Sequence, residues 1–448
     1  MIPGIVNALL ARHDFILLGL RGQAKTRILR SLVDLLDDEI PVLAGSEVND
    51  DPLAPISTWG QRQLDELGDG APIEWLPRKA RYAEKLATPD VSIADLLGDI
   101  DPIKAATRRL TYADPEVIHF GIVARTNRGI FAINEIPDLA PRIQVGLLNI
   151  LEERDLQIRG FPVRIPLDIL MVFSANPEDY TNRGSIITPL KDRISSQILT
   201  HYPQDLETAA TITAQEAWVD RDSSTTAIPD LFRILVERIA QAARESELVD
   251  QTSGVSARLA ISALELLDSN LERRALTTGD RPCNPRLCDL QMLLPGLTGK
   301  LEMVYDGEQK GVEVVARQII GDAVRSLFDE QFPEVPKALG SGGEEDCGPY
   351  ADVVRWFADG NHVLLSDEQP FEEFQAVLYQ VPGLRELAAD HGNTPAERTV
   401  AAETILEGLH QHLKLAREDL DSGIGYRQMV KFQLLKPGRH PDSTGEVN

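Results

Sequence analysis

Residues 15–36 read FILLGLRGQAKTRILRSLVDLL. A short, unbroken apolar run passes through Gly19-Leu20-Arg21-Gly22-Gln23-Ala24-Lys25-Thr26 into a stretch of helical periodicity. No other feature limits the possible folds as much. An apolar run this short and continuous reads as a strand covered on both faces. A tight turn from such a strand into a helix is the building unit of parallel sheets. Three more runs of the same kind follow: IPVLAG (40–45), GIFAIN (129–134) and ILMVFSAN (169–176). Helical patterns at 25–36 and 141–153 alternate with them. The expected class is α/β, a parallel sheet with helices on both faces.

The turn itself has a chemistry. Backbone N–H groups directed inward, together with a helix N-terminus, attract anionic phosphate. Gly19 and Gly22 let the chain bend and approach a ligand closely. In this reading Lys25 reaches the β- and γ-phosphates of a nucleotide and the Thr26 hydroxyl holds Mg²⁺. Arg21, Gln23, Ala24 and Arg27 complete the binding stretch. Ala24 stands where the pattern G-x-x-x-x-G-K-[ST] has glycine. A left-handed alanine would cost about 1–2 kcal/mol. Because Lys25 opens the helix, Ala24 is expected to be helical and unstrained.

A phosphate cradle needs an acid from a second strand. RGIFAINEIPDL (128–139) ends its apolar run in Asn134-Glu135, where Asp-Glu would be usual. Asn134 offers a carbonyl oxygen to the metal but no charge. Glu135 can orient and deprotonate an attacking water. Thr26, Asn134 and Glu135 are thus the candidate metal residues. Taken singly, these stretches also fit a plain strand–turn–helix with a surface lysine, and a core strand ending in an exposed glutamate.

Composition limits the partners. The chain has 448 residues, a formal net charge of −25 and a pI near 4.7. Such a field repels nucleic acid and anionic membrane, so neither is an expected partner. Cys283, Cys288 and Cys347 are too few and wrongly spaced for a disulfide framework or CxxC site, which suggests a reducing, cytoplasmic setting. No signal peptide is legible, and no apolar run approaches the ~20 residues of a membrane span. No HExxH motif and no Cys/His cluster of metal-ligand spacing occurs, so neither a zinc nor a porphyrin site is expected.

Residues 47–128 are rich in Pro, Gly and Asp and lack periodicity. They read as an elaborated insertion anchored by Trp59, Trp75, Leu96 and Ile103. After about Pro203 strands are expected to stop, with helices at 228–243, 257–271 and 312–328. LGSGGEEDCGP (339–349) reads as a linker, and the last hundred residues as a helical unit with a polar tail from about Pro437. The expected division is a core at 1–204, a helical lid at 205–338 and a helical extension at 349–448.

Together, GLRGQAKT and ARTNRGIFAINEI (124–136) resemble the AAA+ ATPases, in particular the magnesium-chelatase ATPase-subunit and MoxR-like branch. The resemblance covers about residues 1–330 and is most specific in the first two hundred. It implies a P-loop NTPase core, a helical lid, ATP and Mg²⁺. In MVFSANPEDY (171–180), Asn176 looks like sensor 1, although Asn-Pro after a strand is also an ordinary turn. In TPLKDRISS (188–196), Arg193 matches the arginine finger that enters a neighbouring subunit's site, with Arg183 in reserve. In SGVSARLAI (253–261), Arg258 resembles sensor 2. On local grounds a surface or helix-capping role is the alternative for Arg193 or Arg183, and an ordinary helix start the alternative for Arg258. ERDLQIRGFPVRIP (153–166) reads as the hairpin this branch inserts, exposing Arg159, Phe161 and Arg164.

The implied activity is ATP hydrolysis by a homo-oligomeric ring, a hexamer by family analogy, that remodels a partner protein with a von Willebrand A-type domain. Three departures stand out: Asn134, the eighteen residues before Gly19, and the roughly 110 residues between Lys25 and Glu135. Asn134 keeps a second reading open, a nucleotide-sensing scaffold with little hydrolysis. A third, an enhancer-dependent transcription activator, lacks its G-A-F-T-G-A loop.

Overall fold

Five runs of extended chain form one parallel sheet: β1 (Phe15–Leu18), β2 (Tyr82–Leu86), β3 (Gly129–Asn134), β4 (Ile169–Ala175) and β5 (Ser196–Leu199). Their spatial order is β5-β1-β4-β3-β2, and all four neighbouring pairs are parallel. The structure is a computed structural model that describes residues 1–101, 103–104, 107, 117–158, 164–177, 186–219, 221, 225–336, 347–420 and 423–429.

The two-residue period of a strand sends alternate side chains to opposite faces. Ile16 and Leu18 join Phe131, Ile133, Met171 and Phe173 in one apolar cluster. Phe15 and Leu17 join Ile130, Ala132 and Val172 in another, where Leu29 of the helix Lys25–Ser31 and Ile5 of the helix Ile2–Leu10 pack. The sheet is therefore covered on both faces, as its unbroken apolar runs require.

Two expectations about strands in the first half of the chain need correction. Glu39–Leu43, within IPVLAG, lies outside this sheet and pairs antiparallel with Ile73–Pro77 in a ribbon of its own. The segment 47–128 is not wholly an insertion, because β2 comes from within it. The sequences of β2 (YAEKL) and β5 (SQIL) are mixed in polarity because both are edge strands, half open to water. Glu84 of β2, for example, pairs with Arg30 and accepts a hydrogen bond from Tyr82. The two legs of the expected hairpin pair antiparallel, Asp155–Gln157 with Arg164–Pro166. Its tip, with Arg159 and Phe161, lies outside the described residues.

The chain divides into two compact units, Met1–Tyr202 with Gln251–Ser256, and Pro203–Asp250 with Ala257–Asn448. The second unit is mainly helical, with long helices at Asp230–Glu245, Arg258–Thr278, Val312–Gln331 and Pro395–Gln411. Their ends carry ordinary stop and start signals: Gly279 closes one in the left-handed conformation, and Thr394 with Glu397 forms a capping box. Strands do not cease after Pro203, however. Val363–Ser366, Gly423–Gln428 and Leu415–Leu420 form an antiparallel sheet. Only one face of it meets the core, as the burial of Val363 and Leu365 against the exposure of Leu364 shows. Such short, one-sided strands carry little periodic signal. Phe328, Phe332 and Cys288 share one apolar cluster with residues from 347 to 426. Most of the expected linker and all of the tail from Pro437 lie outside the described residues. Among those residues no helix is long and apolar enough to cross a membrane.

Candidate nucleotide-binding site

Strand order places the site. The chain leaving β1 travels toward β2, whereas the chain leaving β4 travels toward β5, so two adjacent strands send their connections in opposite directions. Ligands of open parallel sheets bind at such a reversal, beyond the carboxyl ends of the strands. The turn 19–24, Asn134-Glu135 and Asn176 all lie at that edge.

The turn is braced from behind. Gly19 N–H donates to the Ala175 carbonyl at 3.3 Å, and a side chain at Gly19 would collide with Thr200 and Gln23. Thr200 Oγ1 donates to Gln23 Oε1 at 2.6 Å, and the Tyr202 hydroxyl donates to the Arg21 carbonyl at 2.7 Å. Gln23 and Arg21 thus help set the loop's shape, while Arg27 is exposed on the first helical turn. Gly22 (φ 74°) and Ala24 (φ 57°, ψ 20°) are both left-handed. The helical Ala24 expected from sequence is therefore corrected: the residue caps the helix from outside it, and the turn needs a positive φ there.

Lys25 is only 6% exposed. Its Nζ donates to the Gly19 carbonyl at 2.5 Å, the Leu20 carbonyl at 3.1 Å and Asn176 Oδ1 at 2.6 Å. Thr26 Oγ1 donates to Asn134 Oδ1 at 3.3 Å, and Asn176 Nδ2 donates to Glu135 Oε2 at 3.1 Å. Glu135 itself is left-handed, at φ 55° and ψ 51°. The structure thus brings Lys25, Thr26, Asn134, Glu135 and Asn176 into one hydrogen-bonded group. The donors fit a phosphate with its magnesium. An ammonium group and a helix start suit the anion, while hydroxyl, amide and carboxylate oxygens suit a hard cation.

The arginines are placed differently. Arg193 ends the helix Thr188–Arg193, with Nη2 2.6 Å from Glu152 Oε2 and Nη1 donating to the Pro189 carbonyl at 2.9 Å. Neither partner is a cradle residue. Arg258 opens its helix in the second unit. Arg183 lies outside the described residues, and Arg164 pairs with Asp155 at 3.3 Å. Sequence reasoning passed over Ser174, Thr200 and Tyr202. A lone serine in the apolar β4 was the available signal for the first; the other two had none beyond following β5.

A family described as "Sigma-54 interaction domain" matches residues 108–198, which span β3, the hairpin and β4. The magnesium-chelatase subunit ChlI of Oryza sativa subsp. indica is 29% identical over 209 residues, 46% of this chain and 47% of that protein. Subunit ChlI-2 of Arabidopsis thaliana is 26% identical over 254 residues, 56% of this chain and 54% of that protein. The chain resembles AAA+ proteins of the magnesium-chelatase branch. A chain from a structure of the magnesium-chelatase BchI–BchD complex aligns with this chain at a TM-score of 0.36 and 19% identity, covering 68% of it and 95% of the solved chain. The chain spans about half the length of the curated relatives it matches.

Proposed function

We propose that this chain binds ATP with Mg²⁺ in the turn after β1, and hydrolyses it as a ring motor that remodels or activates a partner protein. The observation that carries this reading is the convergence of Lys25, Thr26, Asn134, Glu135 and Asn176 at the reversal of strand order. In use, the Lys25 ammonium exchanges its two loop carbonyls for phosphate oxygens. Thr26 holds the metal while Asn134 accepts the Thr26 proton, and the metal when bound would offset charge on the β- and γ-phosphates. Glu135 orients and deprotonates the attacking water, and Asn176 keeps contact with both Glu135 and the γ-phosphate. Arg193 leaves Glu152 to serve the neighbouring subunit's site, and Arg258 remains the sensor 2 candidate of this proposal. The relatives are subunits by name, which supports assembly with other chains. A ring of six copies and a partner with a von Willebrand A-type domain belong to this proposal.

Lys25→Ala should abolish the rise in melting temperature that ATP and Mg²⁺ produce in the unmodified chain. An undiminished rise refutes the cradle.

The neutral Asn134 favours a second reading, a scaffold that senses nucleotide with little turnover. Multiple-turnover hydrolysis separates the two: the motor reading expects Glu135→Gln to fall at least ~10²-fold below the unmodified chain. Equal inertness of both over hours supports the scaffold.

A further inference from the structure

A serine buried in the middle of a sheet must find hydrogen-bond partners or forfeit solvation worth about 1–3 kcal/mol. Ser174 is fully buried in β4, beside Leu17 of β1. Its hydroxyl accepts from the Glu135 backbone N–H at 3.3 Å and donates to Asn134 Oδ1 at 3.1 Å. Resting on the nucleotide-site reading above, we infer that Ser174 is a positioning residue that makes Asn134 able to serve the metal in place of an aspartate.

The argument runs through donors and acceptors. A backbone N–H can only donate, so Ser174 Oγ must accept from Glu135. That leaves the serine proton to be given away, and it goes to Asn134. Asn134 meets it with its amide oxygen, because the amide nitrogen has no lone pair to offer. The orientation of the amide is thereby selected. The same oxygen receives the Thr26 hydroxyl proton at 3.3 Å. With its proton committed to Asn134, Thr26 turns its lone pairs away from that amide and keeps them free for a cation. An aspartate would accept both hydroxyl protons whichever way it turned. An asparagine, with one oxygen and one nitrogen, needs an outside group to choose its orientation, and Ser174 is that group. The bond to Glu135 N–H also holds the left-handed backbone from which the Glu135 side chain reaches Asn176.

The test is a double-mutant cycle on the full chain, read as the Mg²⁺ concentration giving half of the ATP-induced rise in melting temperature. Ser174→Ala should raise that concentration about 10-fold, as loss of an orienting partner does at metal sites. In the Asn134→Asp background the same substitution should shift it less than 2-fold. Should Ser174→Ala fold poorly, Ser174→Cys, close in volume and a weak donor, should give a shift in the same direction. An equal shift in both backgrounds, or none in either, overturns the inference. A purely structural serine would lower the nucleotide-free melting temperature in both backgrounds and leave the Mg²⁺ midpoint alone. If the unmodified chain shows no ATP-induced rise at any Mg²⁺ concentration, the nucleotide-site reading fails instead.

Discussion

The residue that departs from the phosphate-loop pattern is also one the backbone strains. Ala24 holds φ 57°, where its Cβ crowds the following carbonyl at a cost of about 1–2 kcal/mol. Glycine avoids that crowding but loses more entropy on folding. The expected net effect of Ala24→Gly is about +1 kcal/mol of stability in the nucleotide-free chain, measured by urea denaturation. Lys25, Thr26, Glu135 and Asn176 were all legible as residue types in a motif. What their atoms touch was not. Lys25 as a ligand to its own loop, through the Gly19 and Leu20 carbonyls, follows from a left-handed Gly22 and Ala24 that no local pattern demands.

At the scale of elements, burial on two faces made β1, β3 and β4 readable and left the edges obscure. The join between hairpin and sheet was equally hidden. Arg154, left-handed at φ 56°, follows the helix Leu148–Glu153. Its guanidinium donates to Asp14 Oδ1 at 3.0 Å and the Ile169 carbonyl at 2.9 Å, and it lies 2.9 Å from Asp14 Oδ2. Asp14 also accepts from Met171 N–H at 2.8 Å. Burial pushes the Asp14 carboxyl above the ordinary carboxylate range, while the Met171 N–H and Arg154 pull it back. Without Arg154 the carboxyl would rise further, so the native state would hold a proton that the unfolded chain has released. Stability would then fall as pH rises from the unfolded value through that raised one. Arg154→Ala should cost about 2–3 kcal/mol near pH 8, the lower range for a buried pair because Arg154 is partly exposed, and distinctly less near pH 5. Denaturation midpoints at the two pH values provide the check.

For the whole molecule, the formal charge of −25 counts every ionisable residue and says nothing of which charges are buried. Arg274 and Asp289 are wholly buried together in the second unit, with Asn270 Nδ2 donating to Asp289 at 2.8 Å. Nearby, Glu403 accepts from the Leu287 N–H at 3.1 Å, and burial raises its carboxyl from 4.5 to about 8. Arg286 lowers it and Asp289 raises it. Its folded value lies above its unfolded one, so the native state binds the extra proton between about 4.5 and about 8. Stability of the second unit should therefore decline as pH rises through that window. Glu403→Gln should flatten the decline, melting close to the unmodified chain at pH 5 and several degrees higher at pH 9, by calorimetry.

The sequence by itself determined the strand–turn–helix, the second motif at Asn134-Glu135 and the alternation that makes a parallel sheet. Each is written within a dozen neighbouring residues, where period and turn chemistry act. Only the tertiary structure decided which strands adjoin, that β2 and β5 form the edges, and that Ser174 stands between Asn134 and Glu135. Thr26 and Asn134 meet across 108 residues of chain, and Lys25 and Asn176 across 151. Contacts at such range are set by how whole strands stack, because a hydrogen bond fixes position to a fraction of an ångström while sequence periodicity fixes only a face.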